Sequence, residues 1–105
     1  MYSYRAKLIR VIDADTVRLR LDLGFYLTRE EQSYRLLRIN APELNTIEGK
    51  AAKLALEVYV TGKVLVAQTQ KSDSFGRYLT ELYADGQNVS DWLVANDYAV
   101  YQTYP

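Results

Sequence analysis

The chain of 105 residues contains no cysteine and no histidine. Without cysteine there is no disulfide, no thiolate metal site and no cysteine nucleophile. Without histidine there is no Ser-His-Asp triad and no imidazole metal ligand. Any metal has to sit on oxygen, which selects hard cations such as Ca²⁺ or Mg²⁺. Long hydrophobic runs are missing too. None approaches the roughly 20 residues that span a bilayer, so no membrane partner is expected. The opening Met1-Tyr2-Ser3-Tyr4-Arg5 lacks the apolar core of a signal peptide. As it stands the chain reads as cytoplasmic, and a removed leader would still be compatible with secretion. An excess of charge is also absent: 13 basic and 13 acidic side chains cancel. That balance argues against an indiscriminately basic nucleic-acid coat and leaves room for a small, focused anion site.

What is present describes one folded domain, residues 1–105, with 49% hydrophobic and 25% charged residues. A monomer is expected. The neutral total hides an asymmetry. Residues 1–40 carry eight basic and five acidic side chains, residues 41–105 five and eight, and no Lys or Arg follows Arg77. An anion-binding surface therefore draws mostly on the first half.

Residues 4–12 read as a strand with Ala6, Leu8 and Val11 or Ile12 on the buried side. Residues 16–23 alternate strictly, Val17, Leu19, Leu21 and Leu23 facing one way and Arg18, Arg20 and Asp22 the other. Asp13-Ala14-Asp15 joins the two. Residues 24–32 read as a longer polar connection, and 33–39 as a third strand ended by Pro42. A helix fits 49–60, its stripe formed by Ala51, Leu54, Ala55 and Val58 and its end marked by Gly62. A strand at 63–69, a polar turn at 71–76 and a strand at 77–83 follow. Asp85-Gly86 is a tight-turn signal, and Asn88 caps a short helix that buries Val89, Trp92 and Leu93. Residues 98–101 form a last short strand. Three strands, a helix, two strands and a helix make a mainly β fold with helices, the pattern of an OB-fold, a five-stranded Greek-key barrel.

Three short segments gather the polar groups suited to chemistry: Ile12-Asp13-Ala14-Asp15-Thr16-Val17, Tyr34-Arg35-Leu36-Leu37-Arg38-Ile39-Asn40-Ala41-Pro42-Glu43, and Asp73-Ser74-Phe75-Gly76-Arg77. Each has a plain reading. Asp is common in strand turns for local hydrogen bonding. Glu43 is a loop acid after proline, Arg77 opens a strand, and Arg38 is a surface residue. Arg35 shares a face with Leu37 and Ile39, where a guanidinium needs a partner. Most of the ten tyrosines are packing residues with a polar tip.

Taken together, in this order and spacing, the three segments resemble the staphylococcal nuclease (thermonuclease-like) family, whose motifs run D-G-D-T-V, R-L-x-x-[IV]-D-[TA]-P-E and D-x-[YF]-G-R. The resemblance spans Ala6 to about Tyr101. It implies a Ca²⁺-dependent nuclease acting on DNA or RNA, in single-stranded or open regions and with little sequence specificity. By that resemblance Asp15, Asn40 and the carbonyl of Ala41 hold Ca²⁺, with Asp13 as a turn residue beside them. Arg35 and Arg77 grip the phosphate, and Glu43 activates the attacking water. The chemistry agrees. Arg presents a planar fork of donors to two phosphate oxygens. A divalent cation neutralises and orients the diester. Without histidine, a carboxylate is the best base available. Asp73, Phe75, Tyr101 and Tyr104 are candidate substrate contacts, the aromatic ones as stacking platforms.

The chain departs from the family motifs at three positions. Asn40 stands where many members have Asp, which keeps an oxygen ligand and loses its charge. Ala14 replaces a common Gly, and Ala41 a common Thr. Longer members also continue beyond the position of Pro105 into a C-terminal helix. These departures support an alternative, a catalytically weak or inactive OB-fold module that binds nucleic acid or protein.

Overall fold

The computed structural model describes residues 2–70 and 78–103. Eight strands and two helices follow in order: β1 (Tyr2–Asp13), β2 (Thr16–Gly24), β3 (Leu27–Leu36), β4 (Ile39–Asn40), α1 (Ile47–Val60), β5 (Leu65–Gln70), β6 (Tyr78–Ala84), β7 (Gln87–Asn88), α2 (Val89–Ala95) and β8 (Val100–Tyr101). β1 pairs antiparallel with β2 and with β5, β2 with β3, and β5 with β6. A parallel pairing of Tyr34, Arg35 and Leu36 with Tyr78, Leu79 and Thr80 closes β3 onto β6. The result is the expected five-stranded OB-fold barrel, with α1 inserted between its third and fourth strands. Closure leaves no open edge among those five strands. The core runs through the barrel as Val17, Leu19, Leu36, Ile39, Leu56, Leu82, Val89 and Leu93, all essentially buried. Trp92 is only partly buried and stacks on Tyr59, with centroids 3.9 Å apart, which ties α2 to α1.

Three local readings need correction. The polar connection at 24–32 is instead a tight hairpin. Gly24, Phe25 and Tyr26 all adopt positive φ (86°, 52° and 64°), and β3 begins at Leu27. Two consecutive left-handed residues match the twist of a two-residue hairpin, a turn that usually selects Asn-Gly, so Phe-Tyr gave no signal. The strand read as 33–39 ends at Leu36, because Arg38 turns left-handed (φ 69°) before the short β4.

The third correction concerns α1. Thr46 caps it by accepting the Gly49 N–H at 2.9 Å. Its buried face is Gly49, Ala52, Leu56 and Val60, whereas Ala51, Leu54 and Val58 of the expected stripe are exposed. The roll is set by a close approach. A Cβ on Gly49 would lie 1.9 Å from the Glu43 carbonyl oxygen, so only the glycine face can turn inward there.

The local signals further along hold. Asp85 and Gly86 make a left-handed turn, and Asn88 caps α2 by accepting the Asp91 N–H at 3.0 Å. The polar turn read at 71–76 lies outside the described residues. No helix among them is long and apolar enough to cross a membrane.

Candidate functional site

The first two motifs meet at one end of the barrel. Asp13 and Thr16 form the last rung between β1 and β2. Asp13 Oδ1 accepts the Asp15 N–H at 3.1 Å, the short-range bond that makes Asp favourable in such a turn. Asp15, 8% exposed, sits under the chain that leaves β4. Its Oδ2 accepts the Ala41 N–H at 2.9 Å, and its Oδ1 accepts the Thr16 hydroxyl at 3.3 Å.

Arg35, 6% exposed, is the buried cation of this end. Its Nη2 lies 3.4 Å from Asp15 Oδ2 and donates to the Ile39 carbonyl at 2.9 Å. Its Nη1 donates to the carbonyls of Asp15 (3.3 Å) and Leu36 (3.1 Å). The expected partner for an arginine on an apolar face is therefore present. The guanidinium ties the β1–β2 turn, the end of β3 and β4 together.

The two carboxyls titrate in opposite directions. Burial pushes Asp15 upward, but its bond with Asp13, the Ala41 N–H, the Arg35 charge and the Thr16 hydroxyl outweigh that and hold it below the usual range. Asp13 is pushed up to about 6, by burial first and then by its hydrogen bond with Asp15 and repulsion from it. Among the described residues, two carboxylates lie beside one buried arginine, and every candidate donor is oxygen. That chemistry fits a hard cation. No group of three or more acidic side chains able to hold a metal occurs among the described residues. A cation here would rest on the Asp15 carboxylate with Asp13 beside it, and on neutral oxygens of Asn40 and Ala41.

Asn40 is exposed and leads directly into Ala41. Glu43 is exposed at the mouth of the same loop, and its carboxylate makes no hydrogen bond or ion pair among the described residues. Its backbone is held instead: the Glu43 carbonyl accepts the N–H and the hydroxyl of Thr46 at 3.0 and 2.6 Å. Pro42-Glu43 is thus pinned against the first turn of α1 while the acid itself stays in solvent. Tyr101 lies on β8 opposite Ile39, its hydroxyl donating to Asp91 at 2.8 Å and its ring 5.8 Å from the Arg38 guanidinium. Asp73, Phe75, Arg77 and Tyr104 lie outside the described residues.

Sequence reasoning missed two residues that position this loop. Arg38 is a surface residue as expected, yet it holds Glu81 through Nε (2.8 Å) and Nη2 (2.9 Å) and Asp91 through Nη1 (3.0 Å). Its turn is fastened by Ser90 Oγ to the Leu37 carbonyl (3.0 Å) and by the Gln102 N–H to the Arg38 carbonyl (2.8 Å). Nothing local announces these partners, which lie 43 to 64 positions away. Gly49 is the other. A glycine inside a helix costs about 1 kcal/mol against alanine, a sign of a packing reason.

Comparison with known proteins identifies the family. The family model described as "Staphylococcal nuclease homologue" matches residues 33–105. Two proteins named "Uncharacterized endonuclease", from Escherichia coli and Escherichia coli O157:H7, are 32% identical over 100 residues, 93% of this chain and 61% of theirs. The "Probable staphylococcal-like nuclease CAN2" of Oryza sativa subsp. japonica is 31% identical over 65 residues, 62% of this chain and 18% of its own. The chain thus spans 61% of the length of the two bacterial relatives.

Proposed function

The chain belongs to the staphylococcal nuclease homologue family, and from that membership we propose that it is a nuclease that hydrolyses phosphodiester bonds of DNA or RNA. The observation that carries the reading is the junction of Arg35, Asp15 and Ala41 beneath the Pro42–Glu43 loop. A buried guanidinium there meets a carboxylate held ionised, and the chain runs on from Ala41 through Pro42 to the exposed Glu43.

In this reading the fixed charge of Arg35 faces the phosphate as negative charge builds on its equatorial oxygens. Arg77 is proposed as the second arginine of the clamp. Glu43, exposed and unpaired among the described residues, accepts a proton from the attacking water. The rigid link through Pro42 and the Thr46 bonds hold the backbone that carries that acid. Ca²⁺ would be held by Asp15, the Asn40 amide and the Ala41 carbonyl, and when bound it supplies charge neutralisation and orientation of the diester. With Asn40 neutral, binding is weaker than a further carboxylate would give. Open or single-stranded substrates with little sequence preference suit a site that holds backbone phosphate and reads no base edge.

A second reading, a binding module without catalysis, draws on the number of Arg35 donors already spent on carbonyl oxygens. One experiment separates the two: cleavage of denatured DNA with Ca²⁺, with EDTA, and by Glu43→Gln. Activity with Ca²⁺ that vanishes in the other two supports the nuclease. Equal rates in all three, or none in any, favour the module.

A further inference from the structure

We propose that the outward face of β1 and β2 is a track for a nucleic-acid backbone, leading from the Asp15 end of the barrel to the tip of the β2–β3 hairpin. It rests on the nuclease reading, because it extends the substrate beyond the scissile phosphate. The face carries five basic side chains, Arg5, Lys7, Arg10, Arg18 and Arg20. Register sets Lys7 opposite Arg20 and Arg10 opposite Arg18. Like charges directly across an antiparallel pair destabilise it, so two such rungs in succession have no structural return.

Neighbouring acids answer them only in part. Glu31 is brought within reach by a register shift in β3 and meets both Arg20 (3.1 Å) and Arg18 (3.5 Å). Arg5 faces Asp22, whose carboxylate accepts the Gly24 N–H at 2.9 Å. Lys7 and Arg10 are exposed and make no hydrogen bond or ion pair among the described residues. Among the described residues, these five bases and two acids leave the face at net +3 on a chain of zero net charge. The charge that cancels in the total is therefore concentrated in space on this face.

The far end of the face is aromatic. Phe25 and Tyr26 occupy the hairpin tip in left-handed conformations and are fully exposed, at 96% and 105%. Left-handed backbone costs an ordinary residue roughly 1–2 kcal/mol, so neither residue suits the turn. Tyr26 lines one groove together with Arg5, Lys7, Arg20 and Lys63. Basic side chains that follow a backbone, with an aromatic platform for bases, are the two components of sequence-tolerant single-strand binding. From Thr16 to Gly24 the track runs roughly 27 Å at ordinary strand rise.

The test compares the wild-type chain, the double variant Lys7→Gln/Arg10→Gln and the hairpin variant Phe25→Ser/Tyr26→Asn. Each is titrated in EDTA with a fluorescent single-stranded 16-nucleotide DNA across a salt series, and each is assayed with Ca²⁺ on a dinucleotide. The expected result is binding weakened at least fivefold in both variants. The slope of log K against log salt should fall by about 0.7 per charge removed in the double variant. Dinucleotide cleavage should be unchanged. Both double-variant sites are exposed and unpaired, so folding is preserved, which circular dichroism checks. Unaltered affinity and slope in the double variant, or no binding by the wild type, overturns the track. Binding that weakens as expected in a protein that cleaves neither the dinucleotide nor denatured DNA upholds the track and removes the nuclease reading.

Discussion

Asp15 Oδ2 accepts the backbone N–H of Ala41 at 2.9 Å, across 26 positions of sequence. This one bond couples the turn between β1 and β2 to the loop that carries Asn40 and Glu43. It also holds the carboxylate ionised, since protonation would weaken it. Asp15→Asn should therefore loosen the Asn40–Glu43 loop as well as remove a charge. The expected outcome is lower thermal stability together with lost Ca²⁺-induced stabilisation, read by calorimetry with and without the ion. Full retention of the Ca²⁺ shift would take Asp15 out of the metal set.

Glu43→Gln should separate chemistry from folding. The carboxylate is exposed and makes no contact among the described residues, so stability should change by less than about 0.5 kcal/mol. Cleavage of denatured DNA should drop by about 10²–10⁴, the range for a positioned general base. Single-turnover rates check this, and a loss below tenfold would assign the base elsewhere.

Gly49→Ala should damage the site from outside it. The added methyl would meet the Glu43 carbonyl oxygen at 1.9 Å and the Pro42 carbonyl oxygen at 2.9 Å. Both are backbone atoms and cannot swing aside. Overpacking of this kind costs typically about 1–3 kcal/mol, visible in the urea midpoint, and the displaced Glu43 should cost activity in the fraction still folded. Gly62→Ala, where a Cβ meets nothing within 4 Å, should strain its own turn and leave the rate of the folded enzyme intact.

Arg38→Gln leaves the Glu81 carboxylate, 8% exposed, without its two guanidinium bonds. The Asn88 amide still donates to Glu81 Oε2, but Oε1 loses its partner, and an unsatisfied buried acceptor costs roughly 1–3 kcal/mol. Adding Glu81→Gln should return part of that loss, and a double-mutant cycle in urea measures the coupling. Strict additivity would mean that the pair contributes nothing.

Acid–base behaviour follows from Asp13. Its carboxyl is raised from 3.8 to about 6 in the folded chain, so the folded state binds the proton more tightly than the unfolded state. The resulting stability is fully present below about pH 3.8 and is lost as pH rises through about 6. In EDTA, Asp13→Asn should remove that decline from the melting-temperature profile between pH 4 and 6. An unchanged profile would show that Asp13 titrates normally.

Local signals were legible wherever the cause was local. Strict alternation of Val17, Leu19 and Leu21 against Arg18 and Arg20 needs only the two-residue period of a strand. The Asp85-Gly86 turn and the Asn88 cap depend on residues within three positions. The absence of Cys and His already restricted the candidate groups to carboxylate and guanidinium and any cation to oxygen ligands, and the three ordered motifs named the candidate residues.

Other features were settled only by contacts distant in sequence. The face of α1 follows from the approach of Gly49 to the Pro42–Glu43 backbone, which helical periodicity cannot see. Lys7 and Arg10, three apart, would lie on opposite faces of a regular strand. The register shift between Leu8 and Arg10 puts them on the same side, each facing an arginine of β2. Arg38 gains its partners only when β6, α2 and the chain beyond β8 close around its turn. Sequence thus determined which groups this protein has for chemistry and which segments carry them. Tertiary structure decided which face each presents and what lies beside it, because strand register, helix roll and buried ion pairing are set by contacts made only once the barrel closes.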